Sequence, residues 1–177
     1  MAAQLFVDKG YAGTSMRDIA EHLSFSKAAI YYHFESKEDL LEAILGQITE
    51  RFDDLLKQAE SAHLDTKQLL EGFLDVILGF APVMMAMMRD PSAAKGHARK
   101  PELMARQEQL VRLLAGSRPT KTRMVRARCA IGALQFGAIS TLKDGTECHG
   151  GDHVTRNLTT MERREIVASA VAALGDQ

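Results

Sequence analysis

The 177-residue sequence predicts an all-α fold: a small N-terminal helix-turn-helix unit joined by one long helix to a larger C-terminal helical region. Three observations predict it. Apolar residues recur at helical spacing along most of the chain, and no alternating run is long enough for a useful strand. Capping residues stand immediately before the apolar stripes. The four prolines, Pro82, Pro91, Pro101 and Pro119, all lie in one stretch, where they punctuate helices.

The elements follow in order. Residues 1–8 read as the end of a first helix, and a start this short suggests that further residues precede it. Met16, Ile19, Ala20 and Leu23 make one stripe, with Ser15 as N-cap and Asp18 completing a capping box. Ser24-Phe25 breaks that stripe and Ser26 supplies a fresh cap. Ala29, Ile30 and Phe34 then mark a helix of about two turns. Ser36, with Asp39 three residues on, opens a long helix from 37 to about 60, its stripe held by Leu40, Leu41, Ile44, Ile48, Phe52, Leu55 and Leu56. The next helix starts at Asp65 or Thr66 and runs to Phe80, after which Pro82 is expected to bend the chain into a short Met84–Met88 piece. Further helices are expected over 101–115, ended by Gly116, over 120–142, and over 161–174 behind a Thr159/Glu162 capping box.

Tyr31, Tyr32 and His33 stand in a row on the second short helix. Adjacent residues on a helix point about 100° apart, so the two tyrosines cannot both be core. Two short helices around a tight turn, the second with an aromatic outer face, suit docking into a DNA groove. Leu5-Phe6, Gly10-Tyr11, Thr14-Ser15, Arg17-Asp18-Ile19-Ala20, Ser26-Lys27, Ile30-Tyr31-Tyr32-His33-Phe34 and Ser36-Lys37-Glu38-Leu40 together resemble, without a gap, the DNA-binding domain of the TetR (tetracycline-repressor-like) transcription regulators.

That resemblance implies a DNA-binding domain over 1–46 and a ligand-binding and dimerisation domain over 47–177. It implies that Tyr31 faces the groove, offering its ring to thymine methyls. Ser15, Ser26, Tyr32, His33 and Lys37 would anchor phosphates, which sets register but not sequence. Lys27 and Ala29 would lie where side chains reach base edges, and Arg17 fits the two acceptors of a guanine. Family members often carry Gly and Thr where this chain has Ala28 and Ala29, so a methyl replaces a hydroxyl at 29. Several of them also have a plainer reading: Tyr31 or Tyr32 as partly buried aromatics, His33 bonding the helix end, Lys37 as a solvated surface lysine.

Charge argues against binding by bulk attraction. Residues 1–48 hold four Lys/Arg (Lys9, Arg17, Lys27, Lys37) against seven Asp/Glu, a formal net of −3. Most nucleic-acid binders show a basic footprint. Affinity here is therefore expected from hydrogen bonds, helix N-termini and a second subunit, with weak non-specific binding.

The small residues of the last two helices, among them Ala127, Ala130, Gly132, Ala138 and Ala170, admit either intrachain packing or the paired four-helix dimer interface the resemblance implies. In the apolar middle, Phe73, Ile77, Phe80, Met84, Met88, Met104, Leu110 and Phe136 are candidates to line a cavity for a small molecule. The alternative is plain core. From Arg89 to Arg128 eleven Lys/Arg face three Asp/Glu, a formal net of +8, which suits an anionic effector or a solvated basic face.

Cys148, His149 and His153 share a loop but match no strong zinc spacing, so no metal or other cofactor is expected. Two cysteines suggest no disulfide framework and fit a reducing compartment. Neither a leader nor an apolar run of spanning length is evident, so a cytoplasmic protein without membrane contact is expected. An enzyme is not expected, for want of a Gly-rich phosphate loop or a nucleophile motif. The reading is a dimeric regulator of transcription, a repressor released from a palindromic double-stranded operator by a small-molecule effector. The alternatives are an activator, or a DNA-binding dimer with no ligand.

Overall fold

A computed structural model describes residues 2–62, 64–90, 100–144 and 157–175. Among them are eight helices and no strand: α1 (Ala2–Lys9), α2 (Met16–His22), α3 (Lys27–His33), α4 (Lys37–Ser61), α5 (Thr66–Arg89), α6 (Lys100–Ala115), α7 (Lys121–Asp144) and α8 (Thr160–Leu174).

The caps set the starts. Complete capping boxes open α2 (Ser15 with Asp18), α4 (Ser36 with Asp39), α5 (Asp65 with Gln68) and α8 (Thr159 with Glu162), each satisfying two backbone donors that a helix start leaves bare. Ser26 caps α3, its hydroxyl accepting from the Ala29 amide at 3.1 Å. At the other ends, Gly10 after α1 and Gly116 after α6 take φ of +76° and +87°, a left-handed conformation that glycine adopts without strain.

Two expectations are corrected here. Pro82 does not break the chain, because α5 runs through it to Arg89. A proline inside a helix removes one backbone bond and costs about 3 kcal/mol. Here its neighbours Ala81, Val83, Met85 and Ala86 are all at most 2% exposed, and their burial offsets the cost. Secondly, α5 is long and apolar enough to cross a membrane by length and composition over Thr66–Met87. It packs on α1, α4, α7 and α8, which is how a core helix of a bundle acquires such a sequence.

One continuous apolar core runs from the N-terminal unit into the bundle. Phe6, Ile19, Ala20, Ile30 and Leu41 close the three-helix unit; Phe52 and Phe73, their rings 5.2 Å apart, join α4 to α5 further along. Of the small residues of α7 and α8, Ala127, Ala130, Ala138 and Ala170 are fully buried within the chain itself, while Gly132 is exposed. Gly137 lies under Ile166 of α8, which any side chain there would meet at 3.4 Å.

Candidate nucleic-acid interface

The helix-turn-helix comprises α2, the turn at Leu23–Ser26, and α3. Its inner side is closed by Met16, Ile19, Ala20 and Ile30, all buried. Burying this side obliges the remaining residues of α3 to face outward. Tyr31 is 44% exposed and Tyr32 85% exposed, and Lys27 and His33 are exposed beside them. The Lys27 ammonium sits 5.8 Å from the Tyr31 ring centroid, and the Tyr32 and His33 rings meet edge-on at 5.1 Å. Ser26 is exposed and Ala29 half-buried.

The flanking candidates are already engaged. Ser15 is exposed, but its hydroxyl donates to the Asp18 carboxylate and accepts from the Asp18 amide at 3.1 Å. The Lys9 ammonium, bonded to Asp18, together with Ser15, holds that carboxyl well below the usual range. Arg17 lies along the outside of α2 with its Nε donating to Glu21 at 2.8 Å, both side chains exposed.

Lys37 stands apart from the other candidates. Its ammonium donates to the carbonyls of Tyr11 at 2.5 Å and Thr14 at 2.9 Å, and lies 4.2 Å from the Tyr11 ring centroid. Two of its three donors thus hold the loop between α1 and α2. The same loop is gripped twice more. Tyr11 donates its hydroxyl to Glu38 at 3.1 Å, and the Ala12 amide donates to the Asp90 carboxylate at the end of α5 at 2.7 Å. Burial, then the Glu38 carboxylate, pushes the Tyr11 phenol well above its ordinary pKa. This cluster escapes sequence reasoning because Asp90 is 78 residues from Ala12.

A second feature missed by periodicity lies in the turn. Ser24 takes φ +57°, left-handed for a non-glycine residue, and Phe25 beside it is 60% exposed. An apolar residue just before an N-cap ordinarily packs back on its helix. Here most of the ring does not.

The small-molecule candidates do not converge. Phe73, Ile77 and Leu110 are buried in packed core, while Phe80 and Met84 are partly buried. Met104 and Phe136 are 64% and 77% exposed, a correction to their expected place inside the bundle. Phe136 lies about 200° around α7 from the buried Leu134 and Ala138, two residues to either side. Met104 stands near the start of α6, on a groove shared with Val111 and Arg128. The Met88 side chain and the Cys148–His153 loop fall outside the described residues. The basic stretch meets acids in the fold: Arg106 donates to Asp53 of α4 at 2.7 and 2.8 Å, and Arg128 to Glu108 at 3.1 Å.

Residues 1–44 match the family described as bacterial regulatory proteins, tetR family. Over 83 residues the chain is 36% identical to the probable HTH-type transcriptional regulator ArpR of Pseudomonas putida, covering 44% of this chain and 40% of that one. Over 41 residues it is 49% identical to the biofilm operon icaADBC HTH-type negative transcriptional regulator IcaR of Staphylococcus aureus, covering 23% and 22%. The matches thus span less than half of these curated relatives. The TetR family transcriptional regulator PfmR of Thermus thermophilus shares the fold across 98% of this chain and 94% of its own, with a TM-score of 0.61 at 23% identity.

Proposed function

We propose, from the match of residues 1–44 to the family described as bacterial regulatory proteins, tetR family, that this chain is a ligand-responsive DNA-binding repressor, released from a palindromic operator by a small-molecule effector. The observation that carries the DNA-binding part is the outward Tyr31–Tyr32–His33 face of α3, held on a fully buried inner side. In this reading residues 1–46 read DNA and 47–177 bind effector and partner copy, in the cytoplasm and without membrane contact. The description of IcaR as a negative regulator supports repression.

A single two-turn helix touches too few bases for useful affinity, so a second copy is needed. The surface of α7 supports a homodimer through the last two helices. Val125, Cys129, Gly132 and Phe136 follow at intervals of four, three and four residues, all exposed, Phe136 at 77%. That spacing makes one apolar-and-small stripe along a helix. Gly132 has nothing within 4 Å of where a side chain would start, room that an approaching helix can use.

Selection of bound oligonucleotides from a random pool tests the proposal. The expected product is an inverted repeat with half-sites about 34–36 Å apart, or a multiple of that. Tyr31→Ala should bind it much more weakly at unchanged fold. Enrichment of no inverted repeat overturns the reading. For the effector, the proposal expects a compound that raises the melting point and weakens operator binding; by linkage the operator then weakens binding of that compound by the same factor. A reporter whose transcription rises when the protein occupies its operator would overturn repression.

A further inference from the structure

Resting on the DNA-binding reading, we propose that this chain selects its half-site through thymine methyls, with the exposed ring of Phe25 as an apolar reader beside Ala28 and Tyr31. Around the start of the recognition helix two polar side chains, Ser26 and Lys27, stand among Phe25, Ala28 and Ala29. The Ser26 hydroxyl oxygen accepts from the Ala29 amide at 3.1 Å. Lys27 lies over the Tyr31 ring. Ala28 and Ala29 add only methyls. Adenine, guanine and cytosine present hydrogen-bonding groups alone in the major groove; thymine adds a methyl, the one apolar feature there. A surface of methyls and rings is complementary to that feature.

Phe25 stands three residues before Ala28, in the turn that enters the recognition helix. Its amide donates to the Ala20 carbonyl at 2.9 Å, so the turn is fixed to the end of α2. Ser24 is held in the left-handed region at φ +57°, a conformation a serine keeps only when its surroundings impose it. The turn thereby presents a ring 60% exposed, one residue before the cap of the recognition helix, whose first residues reach base edges. The formal net of −3 over residues 1–48 makes such contacts matter more, since phosphate attraction supplies little.

The test uses the full-length dimer and the oligonucleotide obtained by selection. Thymidines of one half-site, and their symmetry mates, are replaced one at a time by deoxyuridine, which lacks only the methyl. Wild type should lose about four-fold in affinity per contacted methyl. Phe25→Ala should lose about ten-fold and become indifferent to deoxyuridine at one position, with the slope of log Kd against log salt unchanged, because no phosphate contact is lost. Phe25→Leu, which keeps an apolar chain, should retain most of the affinity. The proposal is overturned by wild-type binding that ignores every deoxyuridine, or by Phe25→Ala binding like wild type. It is equally overturned if Phe25→Ala lowers the melting point alone, which assigns the ring to packing on its own helix. Absence of any selected inverted repeat is a different failure, that of the DNA-binding reading itself.

Discussion

Replacing Lys37 by methionine separates two roles for one ammonium group. The sequence resemblance makes Lys37 a phosphate anchor; in the structure it holds the α1–α2 loop through the carbonyls of Tyr11 and Thr14. Methionine keeps an apolar stem and deletes the charge. A hydrogen bond to a charged group contributes about 1.5–3 kcal/mol, and the half-buried setting brings each of these to about 1 kcal/mol. The contact with the Tyr11 ring adds about 0.5–1 kcal/mol. The expected loss is therefore about 2–3 kcal/mol, a large part of the roughly 5–15 kcal/mol that holds a domain together. For a chain of this size that lowers the melting point by about 5–10 °C.

Urea unfolding, together with operator titration at several salt concentrations, distinguishes the two roles. The urea midpoint should fall with its slope unchanged, and the salt dependence of binding should stay as in wild type. A phosphate anchor behaves in the opposite way. Losing one phosphate contact in each of two subunits flattens the salt slope by about 1.8 and leaves stability nearly untouched. Unchanged stability with a flatter salt slope would refute the clamp.

Three further outcomes follow from particular contacts. At the α4–α5 crossing, a side chain at Gly72 meets the buried Leu55 Cδ1 at 2.5 Å, while one at Gly79 meets only the end of Arg51, which can swing away. Gly72→Ala should therefore destabilise by about 1 kcal/mol net, strain exceeding the gain in helix propensity, whereas Gly79→Ala should stabilise by about 1 kcal/mol; urea midpoints moving together contradict this. Ser24→Gly should raise stability by about 0.5–1 kcal/mol by removing left-handed strain, read as a higher melting point. Arg106 holds the Asp53 carboxyl below its ordinary pKa. A depressed pKa gives stability that is present above the unfolded value, about 3.9, and is lost as pH falls further. Asp53→Asn should thus be the less stable protein at pH near 7, with the gap closing in acid; a gap constant with pH contradicts it.

Local signals carried most of the fold. Ser15, Ser26, Ser36, Asp65 and Thr159 all cap helices where they stand, because a cap is decided within four residues. The inner and outer sides of α3 were equally legible, since Ile30 at the core fixes the direction of Tyr31 and Tyr32. What failed was whatever depends on neighbours distant in sequence. Pro82 has the local character of a helix end, yet surrounding helices bury the residues around it. Met104 and Phe136 are apolar, but the way a helix turns against its partners decides whether such a residue lines a cavity or faces solvent. Lys37 has the composition of a surface charge, and only the approach of the Tyr11–Thr14 carbonyls makes it a tie.

The ties around that loop also determine how the reading unit is attached to the rest of the molecule. α4 runs unbroken from Lys37 to Ser61, so it alone would let the three-helix unit swing as one body. A second attachment constrains that swing. α1 packs along α5, and the Ala12 amide donates to Asp90 at 2.7 Å where α5 ends. α5 also touches both α7 and α8. Displacement of α5 along its axis must then carry the α1–α2 loop with it or break the Asp90 bond. Displacement of α4 must carry the same loop through Lys37 and Glu38. A rearrangement in the bundle that moves α4 and α5 together leaves these bonds whole and turns the reading unit rigidly. One that moves them apart strains the four bonds that converge on Tyr11, Ala12 and Thr14. The loop between α1 and α2 is thus where the two attachments are compared, though none of its residues belongs to the outward face of α3.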